Sequence, residues 1–301
     1  MELGMSLPTS GHFASTESII RVAQAAEEMG LGSIWTYERL LRPIAPVQQG
    51  GQMTVLPQHY ATVYEPIETL TLAAAKTSKI KLGTSIIDAL FHPPVVLAKR
   101  FATLDQFSAG RVIAGLGQGW MEEEFRAAGV PLKRKGAGFG EYIEALRALW
   151  APDPVQFHGR FYEIAESQVN PKPVQAGGPP IIVAANNPDS LARSAKIADG
   201  INPFFRGREH FQQLVTGYRK MVQDAGRDPK RQKIIVRANA QVTDAPVENH
   251  RPLSGSVDQI VEDLRWLKPL EIDTVFFDMN NNNTPIDDQL RYMRQMQAAM
   301  A

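Results

Sequence analysis

Short runs of β-branched residues alternate along the whole chain with longer segments whose apolar residues recur every three to four positions. Period two belongs to strands and period 3.6 to helices, so a chain that switches between them throughout is built from βαβ units. Strands are read at Leu3–Leu7, Ser33–Tyr37, Ile80–Ile87, Arg111–Leu116, Pro180–Ala185, Ile201–Phe205, Ile234–Asn239 and Thr274–Phe277. The first helix is capped by Ser15 or Thr16, presents Val22, Ala23, Ala26 and Met29 on one face, and stops at Gly30. Further helices are read at Glu68–Thr77, Pro94–Ala109, Met121–Ala128, Glu141–Trp150, Asp189–Ala198, Arg208–Ala225, Val257–Leu267 and Asp287–Ala299.

Eight strands in strict alternation with helices, within 301 residues, fit a single α/β domain over residues 1–301. The expected fold is a (β/α)8 TIM barrel, whose usual size is about 250 residues, with insertions after strands 2 and 4. A doubly wound sheet is the rival, but it needs two nucleotide-binding halves and only one glycine-rich turn is visible. The first insertion, Arg39–Pro66, is rich in Pro, Gly and Gln and too long for an ordinary connection, which marks it as a lid or a binding surface. The second, Val155–Gly178, reads as a small hairpin, and Asn280–Asn283 as the loop after the last strand.

Composition narrows the chemistry. With 32 basic and 32 acidic side chains the chain has no surplus of positive charge, which argues against a nucleic-acid partner. It contains no Cys, which removes thiolate metal sites, iron–sulfur clusters and cysteine nucleophiles, so any redox chemistry must come from a bound cofactor. The six His residues show no metal-binding spacing, and no metal site is expected. No stretch reaches the roughly 18 apolar residues of a membrane span, and the start lacks a signal-peptide pattern, so a cytoplasmic protein without a membrane partner is expected.

In a barrel the reacting groups stand at the carboxyl ends of the strands. Those ends nominate Ser6–His12, Tyr37–Arg39, Ser85–His92, Gly117–Glu123, Ala185–Asn187, Asn239 and Asp278. Gly115-Leu116-Gly117-Gln118-Gly119-Trp120 either lets the backbone approach a phosphate or merely makes a tight turn, and its spacing is not the dinucleotide fingerprint. Ala185-Asn186-Asn187-Pro188-Asp189 is a helix start capped by Asn187, and its amides either complete a phosphate cradle or serve only the helix. Gly83-Thr84-Ser85-Ile86-Ile87 lacks the last glycine of a hydrolase elbow, which disfavours a serine hydrolase. Glu122-Glu123-Glu124 reads most simply as an acidic first helical turn.

These segments resemble, in the same order, the bacterial-luciferase-like superfamily of flavin and deazaflavin oxidoreductases, and in particular its probable coenzyme F420-dependent branch. The resemblance is carried by Leu3-Gly4-Met5-Ser6-Leu7-Pro8, Lys81-Leu82-Gly83-Thr84-Ser85, Ala98–Asp105 and Ser108-Ala109-Gly110-Arg111 leading into Gly115–Trp120, and it continues through Pro171-Lys172-Pro173 and Ala198-Asp199-Gly200. It implies a flavin-type cofactor at the barrel mouth, with its phosphate near Gly117, Gln118, Gly119, Trp120, Ala185, Asn186 and Asn187. It implies also a bulge at Ser85 and Ile86, often with a non-proline cis peptide, behind the ring. Glu38, Arg39 and His92 are then expected near the reacting centre. The family's usual Asp-His or Glu-His pair after strand two is replaced here by Glu38-Arg39, and the acidic residue some deazaflavin enzymes carry after the glycine loop is replaced by Trp120.

The resulting expectation is a coenzyme F420-dependent oxidoreductase that exchanges hydride with a small organic substrate. A reduced-FMN-dependent monooxygenase using oxygen is the alternative, and a non-catalytic binding protein the third reading. Family members commonly pair, so a homodimer is expected.

Overall fold

The computed structural model describes residues 1–300. Eight parallel strands form the barrel: β1 (Glu2–Ser6), β2 (Ser33–Thr36), β3 (Lys81–Thr84), β4 (Val112–Gly117), β5 (Ile181–Val183), β6 (Gly200–Ile201), β7 (Lys233–Asn239) and β8 (Thr274–Asp278). Each pairs with its neighbours in chain order, and β1 pairs with β8, so the sheet closes on itself and leaves no edge. The main surrounding helices are α1 (Thr16–Glu28), α2 (Pro66–Ala74), α3 (Pro94–Phe107), α4 (Ala137–Trp150), α5 (Pro188–Ile197), α6 (Arg208–Asp224), α7 (Val257–Leu267) and α8 (Ile286–Met300). A short helix, Glu122–Ala127, lies between β4 and α4. The expected (β/α)8 barrel is the observed fold. No described helix is long and apolar enough to cross a membrane.

Helix starts follow their local chemistry. Ser15 Oγ accepts the Ser18 amide at 3.1 Å, and Asn187 and Ser256 each form a reciprocal capping box, with Ser190 and Gln259. Two helices begin earlier than their sequence pattern suggests. Pro66 sits at the first position of α2, where its missing N–H costs nothing. In α4 the turn Ala137-Gly138-Phe139-Gly140 is helical despite two glycines, because Gly138 and Phe139 are buried against the core.

The third and sixth strands depart from regular pairing, and both departures face the mouth. β3 stops at Thr84, the Ser85–Ile86 peptide is cis, and pairing with β4 resumes at Ile87 and Asp88. Across this break the Thr84 hydroxyl accepts the Gly115 amide and donates to the Gly115 carbonyl, both at 2.8 Å, so a side chain replaces the missing ladder bonds. The sixth strand, read through Phe205, ends at Ile201: Pro203 has no N–H to offer, and only a single bridge, Phe204 to Arg237, follows.

One layer inside the barrel consists of Trp35, Ile113, Ile182, Ile235 and Phe276, all buried. The Trp35 and Phe276 rings stack with centroids 4.7 Å apart, and the indole N–H donates to Ser33 Oγ at 2.8 Å. Gly83 makes room for the indole, since a Cβ there would stand 2.2 Å from it. This layer fills the lower barrel, so the strand ends above it carry the residues free to serve a site.

The first insertion is only partly regular. It contains a hairpin, Val47–Gln49 with Gln52–Thr54, and a 3-10 turn, Gln58–Ala61. Val47 and Leu56 pack with Met121 and against Trp120, and Arg42 donates to the carbonyls of Leu56 and Pro57. The second insertion forms the expected hairpin, Val155–His158 with Glu163–Ser167.

Candidate active site at the carboxyl ends of the strands

The residue after β2, Glu38, is held by both neighbours of the β3 bulge. Its amide donates to Ile86 O at 3.0 Å, and its Oε2 accepts the Asp88 amide at 2.8 Å. The remaining oxygen, Oε1, meets His92 Nε2 at 2.6 Å. Glu38 is buried while the His92 side chain keeps 15% exposure, so one end of the pair is dry and the other reaches the mouth. Of the three residues expected near the reacting centre, the structure therefore brings these two together.

Arg39 goes elsewhere. Its Nη1 pairs with Glu124 Oε2 at 2.6 Å, its guanidinium lies over the rings of Tyr60 and Trp120, and the Leu40 amide donates to Glu124 Oε1. Glu124 is buried, the Arg39 side chain keeps only 9% exposure, and the arginine charge is spent on Glu124. Burial pushes the Glu124 carboxyl upward, and the Arg39 charge opposes that shift. Asp88, fully buried beside Glu38 and Glu124, is pushed up to about 7, first by desolvation and then by those two carboxylates. Its Oδ1 accepts the Gly119 amide at 3.0 Å.

Ser85 and Ile86 lie at the centre of the mouth. Ser85 Oγ donates to Asn202 Oδ1 at 2.6 Å, and Ser85 O accepts Arg237 Nη1 at 3.0 Å. Arg237 also pairs with the buried Asp278 Oδ2 at 2.5 Å and lies over the Tyr37 ring at 4.7 Å. Ile86 is seated by Gly117, where a Cβ would stand 1.7 Å from Ile86 Cδ1. The glycine at 117 is thus needed for close packing, and Gly119 for its φ of +74° as well as its approach to Phe91 and Phe125.

The loops that follow β4 and β5 are engaged internally. The Gly119 amide is taken by Asp88, the Asn186 and Asn187 amides both donate to Ser190 Oγ at 3.1 Å, and Gln118 Oε1 accepts the Gly136 amide at 2.8 Å. Asn186 Oδ1 accepts the Phe204 amide at 2.7 Å, while Ala185 is fully buried. These particular amides are therefore not idle donors waiting for an anion. Positive side chains stand around them instead. Lys135 Nζ is 5.9 Å from the ring centre of Phe125, the neighbour of Gly119; Arg193 approaches Gly136; and Arg206 lies over Phe204. Arg134 packs over Phe161 and Tyr162 and donates to the Phe161 carbonyl. Among the described residues none of these four cations has a carboxylate oxygen within 4.0 Å.

Several buried polar atoms of the mouth have no partner: Thr9 Oγ1, Ser10 Oγ, the Tyr37 hydroxyl, His59 Nε2, Arg39 Nε and Arg237 Nε. Buried polar groups are rarely left so, and their concentration at this end of the barrel makes it the candidate binding site. The orphaned set and the Ser85–Ile86 bulge stand at the same end of the barrel as the unpaired cations. No group of three or more His, Asp and Glu side chains among the described residues is arranged to hold a metal.

Sequence reasoning passed over Arg237 and Asn202, while Tyr37 was named only within the Tyr37–Arg39 strand end. A signal existed for Arg237: counting by two from the inward Ile235 places 237 on the same barrel face, one layer higher.

Comparison with known proteins identifies the fold and its company. The luciferase-like monooxygenase family matches residues 1–294. An F420-dependent glucose-6-phosphate dehydrogenase of Amycolatopsis mediterranei is 30% identical over 200 residues, 63% of this chain and 55% of that protein. An FMNH(2)-dependent dimethylsulfone monooxygenase of Pseudomonas putida is 32% identical over 128 residues, 42% of this chain and 35% of that protein. Among solved structures, the monooxygenase RslO1 from Streptomyces bottropensis superposes with a TM-score of 0.83 at 22% identity, covering 100% of this chain and 98% of that one.

Proposed function

This chain belongs to the luciferase-like monooxygenase family, whose members are F420- or flavin-dependent oxidoreductases and monooxygenases, and we propose on that premise that it is a coenzyme F420-dependent oxidoreductase acting on a small organic substrate. The observation that carries the choice of cofactor is the set of unpaired cations, Arg134, Lys135, Arg193 and Arg206, beside the loops after β4 and β5. FMN ends in one phosphate, whereas coenzyme F420 continues from its phosphate into an acidic oligoglutamate tail. Several uncompensated charges suit the longer polyanion better than a single phosphate.

Coenzyme F420, when bound, supplies a two-electron hydride carrier. Ser85 and Ile86 support one face of its ring. Glu38 holds the His92 ring by its Nε2, and the pair would take up or give a proton at a substrate oxygen placed at the mouth. Val47 and Leu56, packed with Met121, keep the Arg39–Pro66 segment closed over the site and water away from it. Arg39 acts through Glu124 to position this segment rather than by touching substrate.

Titration of the purified protein with oxidised F420 and with FMN, followed by absorbance at low salt and at about 0.5 M salt, tests the proposal; screening at the higher concentration is strong. F420 is expected to bind more tightly, and its affinity to fall with salt. Tighter FMN binding would support the reduced-FMN monooxygenase, for which the Pseudomonas relative speaks. Binding of either cofactor, with no acceptor oxidising the reduced form, would leave the non-catalytic binding protein.

A further inference from the structure

The charges at the mouth are distributed unevenly. On the β4–β5 side the cations stand without partners, while the arginines that follow β2 and lie on β7 are compensated: Arg39 by Glu124 and Arg237 by Asp278. The compensated side also holds the orphaned hydroxyls. Thr9 is 0% exposed, Ser10 1% and Tyr37 5%; the Ser10 and Tyr37 hydroxyls face each other, and none of the three oxygens has a well-formed hydrogen bond to the rest of the protein. Their positions are set by the lid, since Tyr64 N donates to Thr9 O, Ser10 bridges to Val63, and Gly11 N donates to His59 O. The ring of Tyr60 joins the set, 6.2 Å from Tyr37 and 4.1 Å from His59.

We propose that this subsite, formed by Thr9, Ser10, Tyr37, His59 and Arg237, binds an uncharged oxygen-bearing substrate, a ketone, aldehyde or alcohol, and discriminates against carboxylates and phosphate esters. The inference deepens the reading above and rests on it for the identity of the hydride carrier. An anionic substrate needs a cation whose charge is free, and here the nearest guanidinium is already neutralised by the fully buried Asp278. Hydroxyl and ring N–H donors satisfy a carbonyl or hydroxyl oxygen without bringing a new charge into a dry site. Burial and the Asp278 charge raise the Tyr37 phenol, which therefore stays neutral and able to donate across the physiological range. The same surroundings affect His59, whose titration is lowered by burial, against the opposing charge of Asp278 and with help from Arg237 and Arg39.

The test uses a matched pair, cyclohexanone and 4-oxocyclohexanecarboxylate, with binding to the full chain read by saturation-transfer NMR while F420 binding is followed by absorbance in the same samples. The ketone is expected to bind at least about tenfold more tightly than its carboxylate counterpart, a difference of about 1.4 kcal/mol. Asp278→Asn, by freeing the Arg237 charge, should reverse that preference, and Tyr37→Phe together with Ser10→Ala should weaken the ketone alone. The second pair of variants keeps the test valid if Asp278→Asn fails to fold. Preference of the wild type for the carboxylate, binding of neither compound, or indifference to Tyr37→Phe and Ser10→Ala would overturn the proposal. Ketone binding that persists when F420 does not bind would sink the cofactor reading and leave the subsite standing.

Discussion

The Glu38 carboxylate and the His92 ring, which are 54 positions apart in the chain, meet at 2.6 Å with the carboxylate buried and the imidazole at the rim. A chain that carries Arg39 where its relatives commonly carry histidine thus still has a Glu–His pair, assembled from the ends of two strands. If this pair handles the proton, His92→Asn and Glu38→Gln should each lower turnover about 100-fold while leaving F420 affinity within a small factor. Steady-state kinetics alongside a binding titration check this; equal losses in binding and turnover would assign the pair a structural role.

Glu124→Gln should cost about 3 kcal/mol of folding stability, because it leaves Arg39 charged, largely buried and without a carboxylate. Chemical denaturation gives the difference directly. A loss below 1 kcal/mol would mean that water reaches the guanidinium.

Asp88 makes a prediction about pH. Its carboxyl titrates near 7 in the folded protein against a reference of 3.8, so between those values the folded state holds a proton that the unfolded state has lost. Stability contributed by this group is complete below about pH 4 and declines as pH rises toward 7. Asp88→Asn retains an acceptor for the Gly119 amide and should remove that decline, making the variant more stable than wild type above pH 7 by up to a few kcal/mol. Denaturation midpoints at pH 5 and pH 8 would show it, and equal pH dependence in both proteins would contradict it.

Gly117→Ala places a methyl where Ile86 Cδ1 now stands. The barrel should fold with a loss of about 1–3 kcal/mol, and Ile86 should be driven into the space assigned to the cofactor ring, reducing F420 affinity by more than tenfold. Unchanged affinity would mean that Ile86 does not face the ring.

The barrel was legible because its eight strands and their helices announce themselves by two different periods, and the glycine loop and the Asn187 cap by local turn chemistry. The bulge at Ser85 followed from family resemblance. The ion pairs were not legible, for they join residues distant in sequence: Arg39 and Glu124 are separated by 85 positions, and Arg237 and Asp278 by 41. Glu124 looked like one of three acids at a helix start, and only the tertiary structure shows it buried on Arg39 while Glu123 pairs with Arg126 at the surface. Likewise, the amides around Gly119 and Asn187 looked available because the side chains that engage them, Asp88 and Ser190, could not be assigned that role from spacing alone.

The stacked Trp35 and Phe276 act as a bulkhead across the barrel. Molecules cannot traverse the tube, so the opening that admits a reactant must also discharge the product, beneath residues 39–66. Departure is therefore coupled to movement of that segment, and substitutions that loosen its seam with Met121 would alter the tempo of each cycle without touching a reacting atom.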